Sequence, residues 1–229
     1  MNKWTTRLLV VLGIMLGACV LTLVSVSAEP SVQLLVQPGE SWIRTHYFFI
    51  FPLRSPPQLA AWLESADGSF LKTLTVSQSA AGNRWKAAPK EGRPEALPVG
   101  LHRSASVADS LNVDAASSAT YQDAISLERS LGALLTNGES YRVYLEVNHS
   151  FDYNASWPKN ASRNSLNWSG VNGQPSLVYM AEFVAGDGQV VELHPVGQGA
   201  VDGSHGRVIP GTDGLDSALR IISRASLSL

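Results

Sequence analysis

The sequence predicts a mainly β protein: an antiparallel sandwich with long loops and a short C-terminal helix. Three observations support this fold class. Short runs rich in Val, Ile, Phe and Tyr recur along the chain, turn signals with Gly or Pro separate them, and several runs alternate with the period of two typical of strands. Many short strands joined by such turns pack most simply as two antiparallel sheets around one core.

The first predicted strands lie just after residue 30. Residues 31–37 and 44–51 are short, rich in β-branched and aromatic residues, and bounded by Pro38-Gly39 and by Pro52. Proline donates no backbone hydrogen bond and glycine has no side chain to pack, so both mark the ends of strands. We therefore expect one strand in each run.

A hairpin and one amphipathic strand are the clearest elements. Runs 58–64 and 70–77 flank Asp67-Gly68, which predicts a hairpin because glycine takes the positive φ of a tight turn. In 141–150, apolar residues at odd-numbered positions up to 147 alternate with mostly polar residues at even-numbered ones. This alternation predicts a half-buried strand.

The C-terminal part contains a second predicted hairpin and the predicted helix. Runs 176–185 and 189–194 flank a Gly-Asp-Gly tripeptide, and we expect them to pair. A short helix is predicted from Leu215 to about Arg224, with Thr212 or Asp213 as its N-terminal cap.

Two stretches, 78–120 and 152–175, lack strand periodicity and are expected to be long loops. The first contains Pro89, Pro94 and Pro98, which are expected to break any element there, and the second is rich in Asn, Ser and Gly. Loops of this length inside a compact domain are usually functional or disordered.

Residues 1–28 resemble a secretory signal of the Sec type. Lys3 and Arg7 give a basic start, a long apolar run follows, and small residues precede the predicted cleavage after Ala28. The exported chain is then expected to be a single β-sandwich domain, residues 29–229, in the periplasm or cell envelope.

The leader also permits an uncleaved anchor or a lipoprotein. Its apolar run is long enough to span a bilayer of ~30 Å at ~1.5 Å per residue. Leu16-Gly17-Ala18-Cys19 is typical of a lipoprotein cleavage box, in which Cys19 carries lipid. A lipoprotein normally turns polar after its cysteine, whereas 20–26 stay apolar. Membrane attachment is expected only through one of these two routes.

Cysteine content and charge exclude several classes of site and partner. Cys19 is the only cysteine, so a chain cleaved after Ala28 has no disulfide, thiol nucleophile or Cys-based zinc site. Two of the 17 Lys and Arg residues lie in the leader, so the cleaved chain has fewer basic residues than its 19 Asp and Glu. The remaining Lys and Arg residues are scattered along the sequence. Nucleic acids require clustered basic residues. We expect an envelope protein as partner and no nucleic acid.

No catalytic constellation is found in the sequence. The chain lacks a Gly-x-Ser-x-Gly elbow and a His-Glu-x-x-His helix, and its histidines never fall at metal-ligand spacing. A cluster of His194, Asp202, His205 and Asp213 is conceivable, but such residues more often bond to loop backbone. We therefore expect neither a metal site nor an enzyme.

Two tryptophans in the Asn-rich loop give a binding hypothesis. Sugars stack an apolar face on an aromatic ring while amides bond their hydroxyls, which makes Trp157 and Trp168 candidate carbohydrate ligands. The alternative is that one or both pin the loop to the core, the commoner use of a large aromatic side chain.

Five segments together carry a family resemblance. They are AAWLESADGSFLKTL (60–74), RPEALPV (93–99), DAASSAT (114–120), GESYRVYLEVNHSFDYN (138–154) and SGVNGQPSLVY (169–179). In this order they resemble the periplasmic proteins of domain-of-unknown-function family 2271, from about Leu59 to the C-terminus. The start of a strand at Gly138-x-x-Tyr141 is similar to the last hairpin of flagellar-hook-cap-type Ig-like domains, which implies an Ig-like sandwich. The family resemblance implies an accessory role beside extracytoplasmic flavin and haem redox systems.

The segment DAASSAT also resembles a flavinylation motif, in which a FAD:protein FMN transferase attaches FMN to a threonine hydroxyl. The resemblance implies that Thr120 is the acceptor, that Asp114 orients the loop or the magnesium-bound nucleotide, and that Ser117 and Ser118 let the backbone approach the phosphate. Ser118 stands where the motif has Gly, which is costly if the bound geometry needs positive φ. The alternative is a Ser/Ala-rich loop in which Asp114 caps a turn.

The sequence leaves three functional hypotheses. The first is an extracytoplasmic accessory or binding module with a protein partner, favoured by the missing thiols, metal spacing and catalytic groups. The second is a flavin-carrying electron-transfer protein with FMN attached to Thr120. The third is a carbohydrate-binding domain that uses Trp157 and Trp168.

Overall fold

The computed structural model describes residues 31–48, 50–81, 92–105, 116–117, 123–186 and 188–229. The predicted leader, with Cys19, lies outside these ranges. Among the described residues, no helix is both long and apolar enough to cross a bilayer.

Most of the regular structure is strand. In chain order the strands are β1 (Ser31–Pro38), β2 (Arg44–Phe48), β3 (Phe51–Ser55), β4 (Gln58–Ser65), β5 (Phe70–Ser77), β6 (Ala116–Ser117), β7 (Ile125–Ser130), β8 (Ser140–Asn148), β9 (Leu177–Val184), β10 (Val190–Glu192), β11 (His194–Gln198), β12 (Ile209–Pro210) and β13 (Ile222–Ser228). The helical segments are α1 (Gln78–Ala81), α2 (Pro98–Ala105) and two 3₁₀ turns, Gly132–Leu134 and Ser217–Arg220.

The strands form a sandwich of two sheets and one separate hairpin. The smaller sheet has the order β10-β13-β1-β7, and the larger has the order β12-β11-β9-β8-β4-β5-β6. Among the described residues, strands β2 and β3 pair only with each other. Every pairing is antiparallel except the short contact of β5 with β6. The predicted antiparallel β-sandwich is therefore confirmed.

The main core lies between the two sheets. Val32, Leu34 and Val36 of β1 face Val143 and Leu145 of β8 within one buried cluster. Because successive strand residues point to opposite faces, alternate residues of both sheets meet in this layer. Each side chain of this size stabilises the fold by about 1.5–3 kcal/mol when fully buried.

The larger sheet is covered on its outer face as well. Trp62 of β4 belongs to a second buried cluster with Leu97 and Val99, at the start of α2. Pro98 is the first residue of this helix, a position that proline tolerates because the N–H it lacks has no intrahelical partner there. The expectation that prolines exclude every element from 78–120 is therefore wrong.

Strand β8 confirms the predicted alternation on its core face but not the exposure of its other face. Tyr141, Val143, Leu145 and Val147 are buried between the sheets. At the C-terminal end of β8, Glu146 is buried too, because α2 lies over it. The expectation of a half-buried strand is wrong at this end.

The first predicted hairpin is confirmed and the second is wrong. Strands β4 and β5 pair across a turn in which Gly68 has φ +87°. By contrast β9 pairs with β11, whereas β10 pairs with β13 in the other sheet. The chain crosses between the sheets after β9, and Leu193 enters the main core. Turn residues predict a reversal of the chain, but they do not specify the pairing partner.

Two further expectations differ from the structure. The single strand predicted over 44–51 is a hairpin, in which Phe48 of β2 pairs with Phe51 of β3. The predicted C-terminal helix is only the 3₁₀ turn Ser217–Arg220, and Asp216 caps it by accepting from the Ser217 amide. From Ile222 the chain is strand, because β13 pairs with β1 along nearly its whole length.

Candidate binding site

Three segments that are distant in sequence enclose a cleft of about 550 Å³. They are the chain before α2, the loop after β8 and the loop after β11. The lining residues are Gly92, Arg93, Glu95, Arg163, Trp168, Ser169, Gly170, Val171, Val201 and Asp202. A concave surface with one aromatic side chain and several polar groups is typical of a small-ligand site.

A buried arginine holds one wall of this cleft. The Arg93 guanidinium donates from Nε to Glu95 Oε1 at 3.1 Å and from Nη1 to Ser150 Oγ at 2.7 Å. It also donates from Nη2 to Asn172 Oδ1. Because Arg93 is almost fully buried, these bonds keep its charge compensated and its position fixed.

Two buried asparagines of the Asn-rich region hold the same wall. Asn148 donates to the Ala96 carbonyl at 3.0 Å, and Asn172 donates to the Glu95 carbonyl. Both amides are therefore engaged with backbone, and they serve the architecture of the cleft.

A glycine allows two walls of the cleft to meet. Gly203 has φ +73°, and a Cβ atom there would lie 2.6 Å from the Glu95 amide nitrogen. Only glycine fits this close approach. The Gly203 carbonyl also lies 3.0 Å from His102 Nε2 of α2. The turn that carries Asp202 is thereby fixed against the segment that carries Glu95.

The mouth of the cleft offers an aromatic ring and charged groups. Trp168 is half-buried, while Arg163 and Asp202 are exposed. Hydrogen bonds from Ser204 lower the pKa of Asp202, so its carboxylate is ionised at neutral pH. Ser169 also lines the cleft, and its hydroxyl is buried with no hydrogen-bond partner among the described residues.

A buried carboxylate fixes the first turn of α2 against β8. Glu146 of β8 accepts from the Gly100 amide at 2.8 Å, from the Val99 amide at 3.2 Å and from Ser176 Oγ at 2.6 Å. These amides belong to the first turn of α2, which has no intrahelical acceptors for them. Burial raises the pKa of Glu146 to about 7, against the opposing effect of the three donors.

The two ends of the loop after β8 are joined by a second buried carboxylate. Asp152 forms an ion pair with Arg44 and accepts from Ser217 Oγ, and its amide donates to the Asn172 carbonyl. Burial raises the pKa of Asp152, partly offset by Ser217 and Arg44. The preceding residue, Phe151, has φ +60°, a conformation that non-glycine residues rarely adopt. The ion pair therefore fixes the base of the loop that carries Trp168.

A neutral buried histidine lies at the same end of β8. His149 Nε2 lies 2.9 Å from the Ser41 carbonyl and 3.1 Å from the Trp42 carbonyl, so this nitrogen donates. Burial lowers the pKa of His149 to about 4.

The two candidate tryptophans occupy different places. Trp168 lines the cleft, whereas Trp157 does not. The Trp157 amide donates to Asn154 Oδ1 at 2.8 Å, and Asn154 Nδ2 donates to the Gly214 carbonyl at 2.8 Å. The Trp157 indole nitrogen is itself buried. This environment matches the pinning role for Trp157 and leaves Trp168 as the candidate ligand platform.

Three of the four flavinylation-like residues lie outside the described ranges: Asp114, Ser118 and Thr120. The backbone of Ser117 belongs to β6, where it pairs with Ser77 of β5. Covalent FMN attachment at Thr120 thus stays a prediction from the sequence.

The residues considered for a metal site do not form one in the described part of the chain, where no group of three or more His, Cys, Asp and Glu is placed to bind an ion. Asp202 accepts from the Ser204 amide, and His205 Nδ1 accepts from the Arg207 amide. Both residues serve local turns.

Sequence reasoning missed most of the cleft. Arg163 and Ser169 carry no motif, and Glu146 occupies a polar position in a strand face that alternation predicts to be exposed. The Asn-rich composition around Trp168 was the only signal that pointed to this part of the molecule.

Comparison of the chain with protein-family models, with curated proteins and with solved structures gives no match.

Proposed function

We propose that this protein is an extracytoplasmic binding module that takes a saccharide in the cleft beside Trp168. The observation that carries the proposal is the combination of that half-buried indole with the exposed Arg163 and Asp202 around one cleft. An indole face stacks on the C–H face of a pyranose ring, while charged side chains bond its hydroxyl groups.

The polar groups of the cleft suit a ligand with many hydroxyls. Asp202 accepts hydrogen bonds and Arg163 donates them. Arg163 forms no ion pair with any other described residue, so it can bind a ligand without first breaking one. The Asp202 carboxylate accepts from the Ser204 amide and keeps further lone pairs for a ligand.

Binding is favoured over hydrolysis of the saccharide. Glycosidases use a carboxylic acid that remains protonated near neutral pH, which requires a raised pKa. The pKa of Asp202 is lowered instead, and Glu95 is already bonded to Arg93. The proposal is therefore a non-catalytic module.

The location and partners of the module are proposed from the sequence. The leader directs the chain to the periplasm or cell envelope through the Sec route, and the resemblance to family 2271 suggests an accessory role near envelope redox systems. An envelope protein partner fits that role. Binding of a saccharide is compatible with each of the three fates of the leader.

Titration of the exported protein with soluble oligosaccharides tests the proposal. The probes are neutral cello-, chito-, malto- and xylo-oligosaccharides and an acidic galacturonan oligosaccharide, measured by calorimetry and tryptophan fluorescence. We expect at least one to bind at a single site. Trp168→Ala should weaken that binding by roughly tenfold or more, because stacking on an aromatic ring is worth about 0.5–1.5 kcal/mol beyond its area.

Trp157→Phe is the matched control, since Trp157 lies in the same loop outside the cleft. Its affinity should equal that of the unsubstituted protein. If no oligosaccharide binds, or if Trp168→Ala and Trp157→Phe weaken binding equally, the cleft is not a saccharide site.

A further inference from the structure

The hairpin β2–β3 is separate from the two main sheets and carries exposed apolar residues near its tip. Its strands belong to neither main sheet, and the register pairs Arg44 with Ser55 at one end and Phe48 with Phe51 at the tip. Ile50 is 82% exposed and Phe51 is 69% exposed. Such large apolar side chains are rarely left side by side in water unless they bind something.

The base of this hairpin is held firmly. Arg44 is paired with Asp152, and its Nη1 also donates to Ser217 Oγ at 3.2 Å. The His46 ring meets the Phe151 ring edge to face, with centroids 5.3 Å apart. A hairpin that is fixed at its base loses less conformational entropy when its tip binds.

The composition of the tip favours lipid over a protein groove. Residues 47–53 read YFFIFPL, a run without a charged side chain. The described side chains at the tip, Ile50, Phe51 and Pro52, are all exposed and nonpolar, so none of them offers a polar group to solvent. A protein groove needs one apolar face only, whereas a bilayer surrounds what enters it.

A basic residue, Arg54, directly follows the apolar run at the tip, where the headgroups of a bilayer would lie. Arg54 is exposed, pairs in register with Thr45, and forms no ion pair with any described residue. Aromatic and aliphatic side chains with a basic residue behind them are the composition of segments that lie at a membrane interface.

We infer that the tip of the β2–β3 hairpin inserts into the surface of an anionic bilayer, with Ile50 and Phe51 among the acyl chains and Arg54 at the phosphates. This contact is independent of the leader and of the saccharide cleft. It would hold the module against the membrane after the leader has been removed.

Vesicle co-sedimentation tests the inference, with exported protein from which the leader has been cleaved. The vesicles are pure phosphatidylcholine or a mixture with phosphatidylglycerol. We expect binding to the mixed vesicles, reduced by about a hundredfold in I50S/F51S, since burying each such side chain is worth roughly a factor of ten or more. R54E should weaken binding to mixed vesicles and leave the weak binding to pure phosphatidylcholine unchanged.

Leu166→Ser is the matched control, because Leu166 is 97% exposed in a different loop. It should bind like the unsubstituted protein, and unfolding curves should show that all variants are folded. If the unsubstituted protein does not sediment with mixed vesicles, or if I50S/F51S sediments equally well, the inference is overturned and the tip is left for a protein partner.

Discussion

Arg44→Met is expected to destabilise the protein by about 3–5 kcal/mol, because it leaves a buried carboxylate without its counter-ion. Asp152 is 1% exposed, and the Arg44 guanidinium is its ion-pair partner. Methionine preserves much of the volume of the arginine stem but supplies no charge. The measurement is the midpoint of urea unfolding at neutral pH, converted with an unchanged slope.

Two further variants separate the charge from the packing. R44M/D152N removes both charges and should recover much of the lost stability, since an amide is cheaper to bury than an unpaired carboxylate. Arg142→Met removes a partner of Glu182 in an exposed pair and should cost about 0–1 kcal/mol. Equal losses for Arg44→Met and Arg142→Met would contradict the account of Asp152.

The second large effect is expected in the pH dependence of stability. Burial raises the pKa of Glu146 from 4.5 to about 7, so the folded state favours the protonated acid. The stability due to this group is fully present below pH 4.5 and is lost as the pH rises from 4.5 to 7. Each pH unit inside that window costs up to about 1.4 kcal/mol.

His149 acts with the opposite sign over nearly the same range. Burial lowers its pKa from 6.5 to about 4, so the folded state favours the neutral ring. Its contribution is fully present above pH 6.5 and is lost as the pH falls toward 4. Between pH 4.5 and 6.5 the slopes due to Glu146 and His149 therefore offset each other.

Single substitutions should reveal the two opposing slopes of stability against pH that Glu146 and His149 produce. Relative to the unsubstituted protein, Glu146→Gln should gain stability with rising pH between 4.5 and 7, and His149→Gln should lose stability with rising pH between 4 and 6.5. The measurement is urea unfolding at half-unit pH steps, with the exposed His194 replaced by Gln as a matched control. Slopes of the same sign for both variants would contradict the assignment.

Local sequence patterns predicted the elements whose conformation depends on neighbouring residues. The β4–β5 hairpin follows from Asp67-Gly68, whose glycine has the expected positive φ. The predicted C-terminal helix is wrong because the structure of this segment depends on a strand that is distant in sequence. Ala225 and Leu227 pair with Val36 and Leu34 of β1, at the other end of the chain. That tertiary pairing outweighs the helix signal, and no local pattern contains it.

The candidate site could be predicted only in part, because the fold assembles it from distant segments. Composition drew attention to Trp168. Nothing in the sequence indicated that Asp202 would lie beside Glu95 and Trp168, since this depends on the close approach at Gly203. The buried Glu146 was hidden because alternation predicts an exposed face, whereas α2 covers it.

The measurement that tests the central claim most directly is a nuclear magnetic resonance titration with the oligosaccharide that binds most tightly. The account predicts that the Trp168 indole N–H and the amides of Ser169, Gly170 and Asp202 shift together, while the Trp157 indole and the hairpin tip stay unchanged. Shifts centred on Trp157, or a spectrum that no oligosaccharide perturbs, would contradict the assignment of this cleft as the binding site.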